Sequence, residues 1–252
     1  QGGKSTVFDT LCDGRLISPR GIGIKTSASK ISVQAIPQEE EEHADLVWKT
    51  SDELLLTMYK MVKDNLIGDP EELAVFSKID KDGKEVLPSL DNSKVRELAS
   101  KALQAEWKKY ETAPSLYDPE NLGYLDLLKI STLILEFYNS KELSELQRKK
   151  RITIDELNSI VVFPRDWEIK WEDNRSQTKW SLSQVPFVFL ASASCYIHSE
   201  NLERLGCVVT DCPGLFAGPW DTQVACEAMK RADAILYLMC GDRTITDSDL
   251  RA

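Results

Sequence analysis

Three stretches of this 252-residue chain carry side chains whose types and spacing suit phosphate chemistry. The first is Gly2-Gly3-Lys4-Ser5-Thr6 at the front of a helical pattern. It matches the second half of the phosphate-loop pattern G-x-x-x-x-G-K-[ST]. Glycine lets backbone N–H groups close on phosphate oxygens, and a helix N-terminus adds partial positive charge. Lys4 would neutralise the β- and γ-phosphates, and the Ser5 hydroxyl would take one Mg²⁺ position. The first glycine of the pattern and the strand feeding the loop would fall ahead of Gln1. Alone, the stretch reads equally well as an exposed Gly-Lys turn.

The second stretch is Val208-Val209-Thr210-Asp211-Cys212-Pro213-Gly214-Leu215-Phe216. A buried strand that ends in Asp, with Gly three residues later, is the D-x-x-G arrangement of GTPases. Open α/β sheets bind ligands outside the carboxyl ends of their strands, where Asp211 would fall. Asp211 would hold Mg²⁺ through water. Gly214 would offer its N–H to the γ-phosphate and let the following loop move when that phosphate leaves. The bland alternative is a strand-ending turn.

The third stretch, Pro19-Arg20-Gly21-Ile22-Gly23-Ile24-Lys25-Thr26, precedes a strand pattern at residues 30–36. It resembles the first switch of the dynamin superfamily, and with the other two stretches the chain resembles part of a dynamin-like large GTPase. The resemblance implies that Lys4 binds phosphate, that Ser5 and Thr26 bind Mg²⁺, and that Thr26 helps fix the attacking water. Gly2, Gly3, Thr6, Gly21, Gly23, Asp211 and Gly214 would complete the nucleotide site. GTP is then the substrate and Mg²⁺ the cofactor, with a homodimer formed across the nucleotide face. Gln1 stands where dynamins often carry a Ser that seats a monovalent cation (K⁺ or Na⁺). That cation is left open, with Gly21 and Gly23 as its backbone ligands. No side chain is an obvious general base, and Gln1 is the nearby candidate for orienting or charge support.

The resemblance covers about residues 1–37 and 185–252. Thr26 and Asp211 are much further apart in sequence than the family's usual interval. The expected organisation is therefore a partial GTPase domain over residues 1–44 and 161–252, with a helical insertion or subdomain over 45–160. The expected fold is α/β, a P-loop GTPase-type three-layer arrangement of sheet and helices, incomplete within this sequence. The guanine-reading [TN]-K-x-D motif does not occur after Asp247, so guanine preference rests on the resemblance. Membrane work would fall to regions outside this sequence, which reads as a section of a larger protein. Two rivals stay open. One is a nucleotide-gated interaction module with little hydrolysis, and the other is a P-loop ATPase.

Composition narrows the classes further. Asp plus Glu outnumber Lys plus Arg by 41 to 31, giving a formal charge of −10. An acidic chain does not suit general nucleic-acid binding or unaided docking on anionic lipid, since both need clustered positive charge. Hydrophobic residues make up 42%, enough for a real core and against disorder as a class. Neither a signal peptide nor a membrane span is visible, so the expected location is cytoplasmic or peripheral to a membrane. The six cysteines lack a CxxC pair and read as buried thiols of a reducing compartment, without a zinc site.

The elements that must position these residues follow from periodicity. Val7, Phe8 and Leu11 predict a short helix closed by an Asp13-Gly14 turn, and residues 30–36 predict a strand. Glu39 to Glu42 read as a solvated acidic loop. From about residue 45 the pattern turns helical. Leu54, Leu55, Met58, Met61 and Val62 follow a cap at Ser51, Val95 to Tyr110 mark a second helix, and Leu122 to Tyr138 is apolar nearly all round. The segment around Asp80-Lys81-Asp82-Gly83 fails as an EF-hand because Lys78 and Ser89 occupy the end ligand positions. Trp167, Ile169 and Trp171 alternate as on a strand. Residues 185–191, 207–210 and 234–239 predict strands, with a helix over 221–231 between the last two.

Overall fold

A computed structural model describes residues 4–15, 17, 30–76, 78–79, 81–82, 85–86, 88–113, 122–164, 167, 180–212 and 219–236. It is a mixed α/β fold. Five strands form one sheet: β1 (Lys30–Ala35), β2 (His43–Trp48), β5 (Arg151–Ile152), β6 (Leu190–Ile197) and β7 (Val209–Asp211), in the order β5-β2-β6-β1-β7. β1 and β6 run parallel, whereas β1–β7, β2–β6 and β2–β5 are antiparallel. A separate two-stranded hairpin joins β3 (Lys78–Ile79) to β4 (Glu85–Val86).

Period-two alternation gives the sheet two unlike faces. Ile31, Val33, Ala44, Leu46, Ala193, Cys195 and Ile197 are buried. Ser32, Gln34, His43, Asp45, Ser194 and Tyr196 alternate with them and keep partial exposure. His43 stacks on Tyr196 with ring centroids 4.7 Å apart.

The helices are α1 (Lys4–Leu11), α2 (Ser51–Leu66), α3 (Pro70–Phe76), α4 (Ser93–Thr112), α5 (Leu122–Phe137), α6 (Lys141–Leu146), α7 (Ile154–Val161), α8 (Glu200–Leu205) and α9 (Pro219–Met229). Thr50, rather than Ser51, caps α2 through a reciprocal box with Glu53. Thr153 and Glu156 repeat the device on α7. Pro70 opens α3, where its missing N–H costs nothing. The predicted all-round apolarity of α5 has a clear cause. This helix packs against α2, α4 and α9, and Leu128, Ile130, Leu133 and Ile134 are fully buried.

Several expectations need correction. Residues 43–48 are a strand, not the start of a helical region, because Ala44, Leu46 and Trp48 point inward while the residues between them do not. Residues 185–189 are not strand. Pro186 has no N–H for a ladder, and two 3₁₀ turns carry this buried run into β6. β6 itself alternates between buried and partly exposed residues. Trp167 lies in a turn, and Ile169 and Trp171 fall outside the described residues. Residues 234–236 carry no strand, and 237–239 are also outside the description. Glu42 is more than a solvated charge, since its carboxylate is partly buried and bonded to Arg15 and His198.

Candidate functional site

Helix α1 starts at Lys4, as the Gly-Lys-Ser pattern predicts, so Lys4 and Ser5 form its first turn. Thr6 is exposed on the next position, and its carbonyl accepts from the Thr10 hydroxyl at 2.8 Å. Phe8 and Cys12 bury one side of this segment. Asp13 (φ 56°) and Gly14 (φ 78°) then turn the chain back, and the Gly14 N–H donates to the Asp9 carbonyl at 2.8 Å. Two successive left-handed residues make a turn that glycine and aspartate tolerate well.

Contacts at its far end fix the direction of α1. The Ser199 hydroxyl donates to the Leu11 carbonyl at 3.4 Å, and Asn201 Nδ2 donates to the Thr10 carbonyl at 3.2 Å. Ser199 and Asn201 follow the C-terminal end of β6. The C-terminus of α1 therefore lies at the sheet edge where β1 and β6 end. Its N-terminus points toward the opposite edge, where these two strands begin. α1 also packs against β7.

β7 ends at that same opposite edge. Its register with β1 sets Val209 across from Val33, Thr210 across from Ser32 and Asp211 across from Ile31. Residues directly opposite each other share a face, so Asp211 lies on the buried face with Ile31 and is itself 5% exposed. Lys30, where β1 begins, follows Thr26 by four positions in the sequence. The start of α1, the end of β7 and the start of β1 at Lys30 thus lie toward one edge of the sheet.

Of the residues predicted from sequence, Lys4, Ser5, Thr6 and Asp211 belong to this arrangement. Nothing is described of the Lys4 and Ser5 side chains. Gln1, Gly2, Gly3, Gly21, Gly23, Thr26 and Gly214 lie outside the described residues. Among the described residues no three His, Cys, Asp or Glu side chains gather as a metal cluster. A Mg²⁺–nucleotide complex does not need one. Mg²⁺ keeps several waters and is held by one or two protein oxygens together with substrate phosphates, and a single buried carboxylate at a strand end fits that donor set.

Sequence reasoning passed over three further groups. Asp9 is 1% exposed, and its Oδ1 accepts the Ile17 N–H at 3.2 Å. The signal for it was an ionisable residue between Phe8 and Cys12, on the side α1 buries. At the far edge Arg15 grips Glu42 with both terminal guanidinium nitrogens, Nη2 lying 2.6 Å from Oε2. Glu42 also accepts the His198 N–H at 2.8 Å. Arg15 holds the Glu42 carboxyl below its ordinary range, mainly through the hydrogen bond. Finally, Lys49 leaves the end of β2 with its Nζ donating to the Val188 carbonyl at 3.1 Å, and burial pushes its amine down to about 7.

No protein-family model matches this chain, and no curated protein matches it. No helix among the described residues is long and apolar enough to cross a membrane.

Proposed function

We propose that this chain is a Mg²⁺-dependent GTP-binding and GTP-hydrolysing unit of the dynamin-like type, built on a P-loop GTPase-type sheet and coupled to membrane remodelling through regions outside this sequence. The observation that carries the reading is the convergence at one sheet edge. The helix that begins at Lys4 packs on β7, and β7 ends at Asp211 across from Ile31, next to the start of β1 at Lys30; the Thr26 stretch comes to this edge by the resemblance alone. A triphosphate needs these three contributions in one place.

In this reading Lys4 and the loop amides neutralise the β- and γ-phosphates. The Ser5 and Thr26 hydroxyls and, through water, Asp211 would hold Mg²⁺, which would supply neutralisation of phosphate charge. Thr26 orients the water and the Gly214 N–H meets the γ-phosphate, while Gln1 gives orientation or charge support. Phosphoryl transfer to water asks for little covalent help, so positioning carries most of the catalysis. The nucleotide face would pair with that of a second copy.

Phosphate release from GTP with Mg²⁺ tests the reading, with native protein compared against Lys4→Ala. Turnover that Lys4→Ala abolishes is expected. Undetectable turnover in the full-length protein, with lipid and potassium supplied, would remove the enzyme and leave a nucleotide-gated interaction module. Stronger competition by ATP than by GTP would replace the GTPase with an ATPase.

A further inference from the structure

We infer that the outer side of β5 is a docking surface for a second copy of this chain, where the basic run Arg148–Arg151 of each copy meets the acidic residues Glu39–Glu41 of the other. This inference stands apart from the GTPase reading. It concerns the strand at the opposite side of the sheet from β7, and it needs no nucleotide.

Glu39 to Glu42 and Arg148 to Arg151 are the longest runs of like charge in the sequence. Main-chain bonds pin the basic run along β2. Trp48 Nε1 donates to the Lys149 carbonyl at 2.7 Å, the Leu46 N–H donates to the Lys150 carbonyl at 2.8 Å, and Arg151 stands across from Asp45. The side chains of Arg148, Lys149, Lys150 and Arg151 all remain exposed. The acidic run leads into β2, beyond the end of β2 that Arg151 approaches. Glu39 precedes Asp45 by six positions, so at about 3.4 Å per residue the two runs lie within about 20 Å of each other.

Both runs keep charge that the molecule itself does not neutralise. Glu39, Glu40 and Glu41 are exposed and make no ion pair, and neither do Arg148, Lys149 and Lys150. The carboxylates near the basic run are already engaged. Asp45 accepts from Arg151 at 2.7 Å, Glu145 pairs with Lys141 at 3.6 Å, and Glu156 belongs to the Thr153 cap, which Lys149 reaches only as a longer-range charge. Charges on an outermost strand ordinarily guard it, because a second copy meets like with like. Here a two-fold rotation lays the two strands antiparallel and sets each basic run against the other copy's acidic residues. Such an isologous contact satisfies both runs at once. Basic on basic is repelled, so the charge order also selects the offset between the copies.

The experiment is sedimentation equilibrium on the full-length protein without nucleotide, so that pairing across the nucleotide face does not contribute. The native protein is expected to dimerise at about 50 mM salt, with a dissociation constant that rises about tenfold or more by about 500 mM, because exposed charges are screened. Arg148→Glu combined with Lys150→Glu should weaken the dimer by about tenfold or more, and so should Glu40→Lys combined with Glu41→Lys. Mixed together, the two reversed proteins should form a heterodimer of about native affinity, since each reversed run finds its complement.

The substituted side chains are exposed, so the variants should melt close to the native temperature, and the salt titration of native protein decides without any variant. Native protein that stays monomeric at low salt overturns the inference, as does a dimer indifferent to salt. Folded reversed variants that stay monomeric when mixed overturn it too. Monomeric native protein that binds phosphatidylserine vesicles, with binding lost in Arg148→Glu/Lys150→Glu, would give the basic run to a membrane surface instead. The two readings fail separately, because none of these measurements involves GTP and no GTP measurement bears on the salt-dependent dimer.

Discussion

Asp211 lies directly across the antiparallel ladder from Ile31, one residue inside β1. The pairing ties together two stretches that are far apart in sequence. One holds the D-x-x-G pattern, and the other follows Thr26 into the sheet. A ladder register is hard to slip, because a one-residue shift would carry Asp211, Ile31 and every neighbour to the wrong face. The sheet thus serves as the ruler that sets Asp211 against the start of β1.

Asp211→Asn should raise the Mg²⁺ concentration needed for half-maximal GTP turnover by about tenfold or more, the scale seen when partners of a metal site are lost. The amide is nearly isosteric, so the melting temperature should change little beside the change in Mg²⁺ requirement. Turnover titrated with Mg²⁺ in both proteins checks this. Superimposable Mg²⁺ curves would remove Asp211 from the metal side.

The Arg15–Glu42 pair gives a prediction in acid. Arg15 depresses the Glu42 carboxyl below the 4.5 of a free glutamate, with the His198 N–H assisting. A carboxylate with a depressed folded pKa stabilises the fold above its unfolded value. That contribution is lost as pH falls through the folded one. The native protein should therefore lose stability below pH 4.5 more steeply than Glu42→Gln, whose amide still accepts from His198 but does not titrate. Both partners are partly exposed, so the difference should shrink in about 1 M salt. Thermal melts between about pH 3 and pH 6 measure it. Parallel acid limbs would mean that the pair contributes nothing.

The described cysteines are not all buried, against the expectation, and Cys212 is half-buried. Cys12 and Cys195 are fully buried, while Cys207 and Cys226 are exposed. Burial, reinforced by Asp9 and Asp13, pushes the Cys12 thiol up to about 12, and burial pushes Cys195 up to about 12 as well. The thiolate is the reactive form, so at about pH 8 these two should resist alkylation. Iodoacetamide followed by peptide mass analysis should label Cys207 and Cys226 in native protein, and Cys12 and Cys195 only after denaturation. Early labelling of Cys12 would show that the turn after α1 opens.

Much of this architecture was legible from local signals. Val7, Phe8 and Leu11 marked α1, the Asp13-Gly14 pair marked its turn, and α2, α4 and α5 announced themselves by helical spacing. Failures came where a short pattern lay beside a louder one. The alternation of Ala44, Leu46 and Trp48 was swamped by the acidic run before it and the strong helix after it. The run from Val185 to Phe189 looked like a strand because it is apolar, and only Pro186 spoke against it. Pairings between distant segments leave no local trace. Neither Ile31 opposite Asp211 nor Arg15 on Glu42 could be read from composition or period. Asp9 was missed because a single acidic residue in a short helix usually faces water.

Lys49 provides the last test, on the basic side of neutrality. The residue keeps part of its surface exposed, but its amine lies inward against the Val188 carbonyl. Burial pulls that amine from 10.5 down to about 7, and the charges of Glu53 and Glu227 only partly resist. The unfolded chain keeps its proton up to the ordinary lysine value, whereas the folded chain gives it up near neutrality. Between those two values the unfolded state binds more protons, so stability must rise with pH. Lys49→Met removes the titration and keeps most of the side-chain volume, although the Val188 carbonyl loses a donor. The melting temperature of the native protein, relative to that of Lys49→Met, should therefore climb from about pH 7 to about pH 9. A gap that stays constant across this range would show that the Lys49 amine keeps its proton in the folded protein, and that its inward placement is compensated by the surrounding carboxylates.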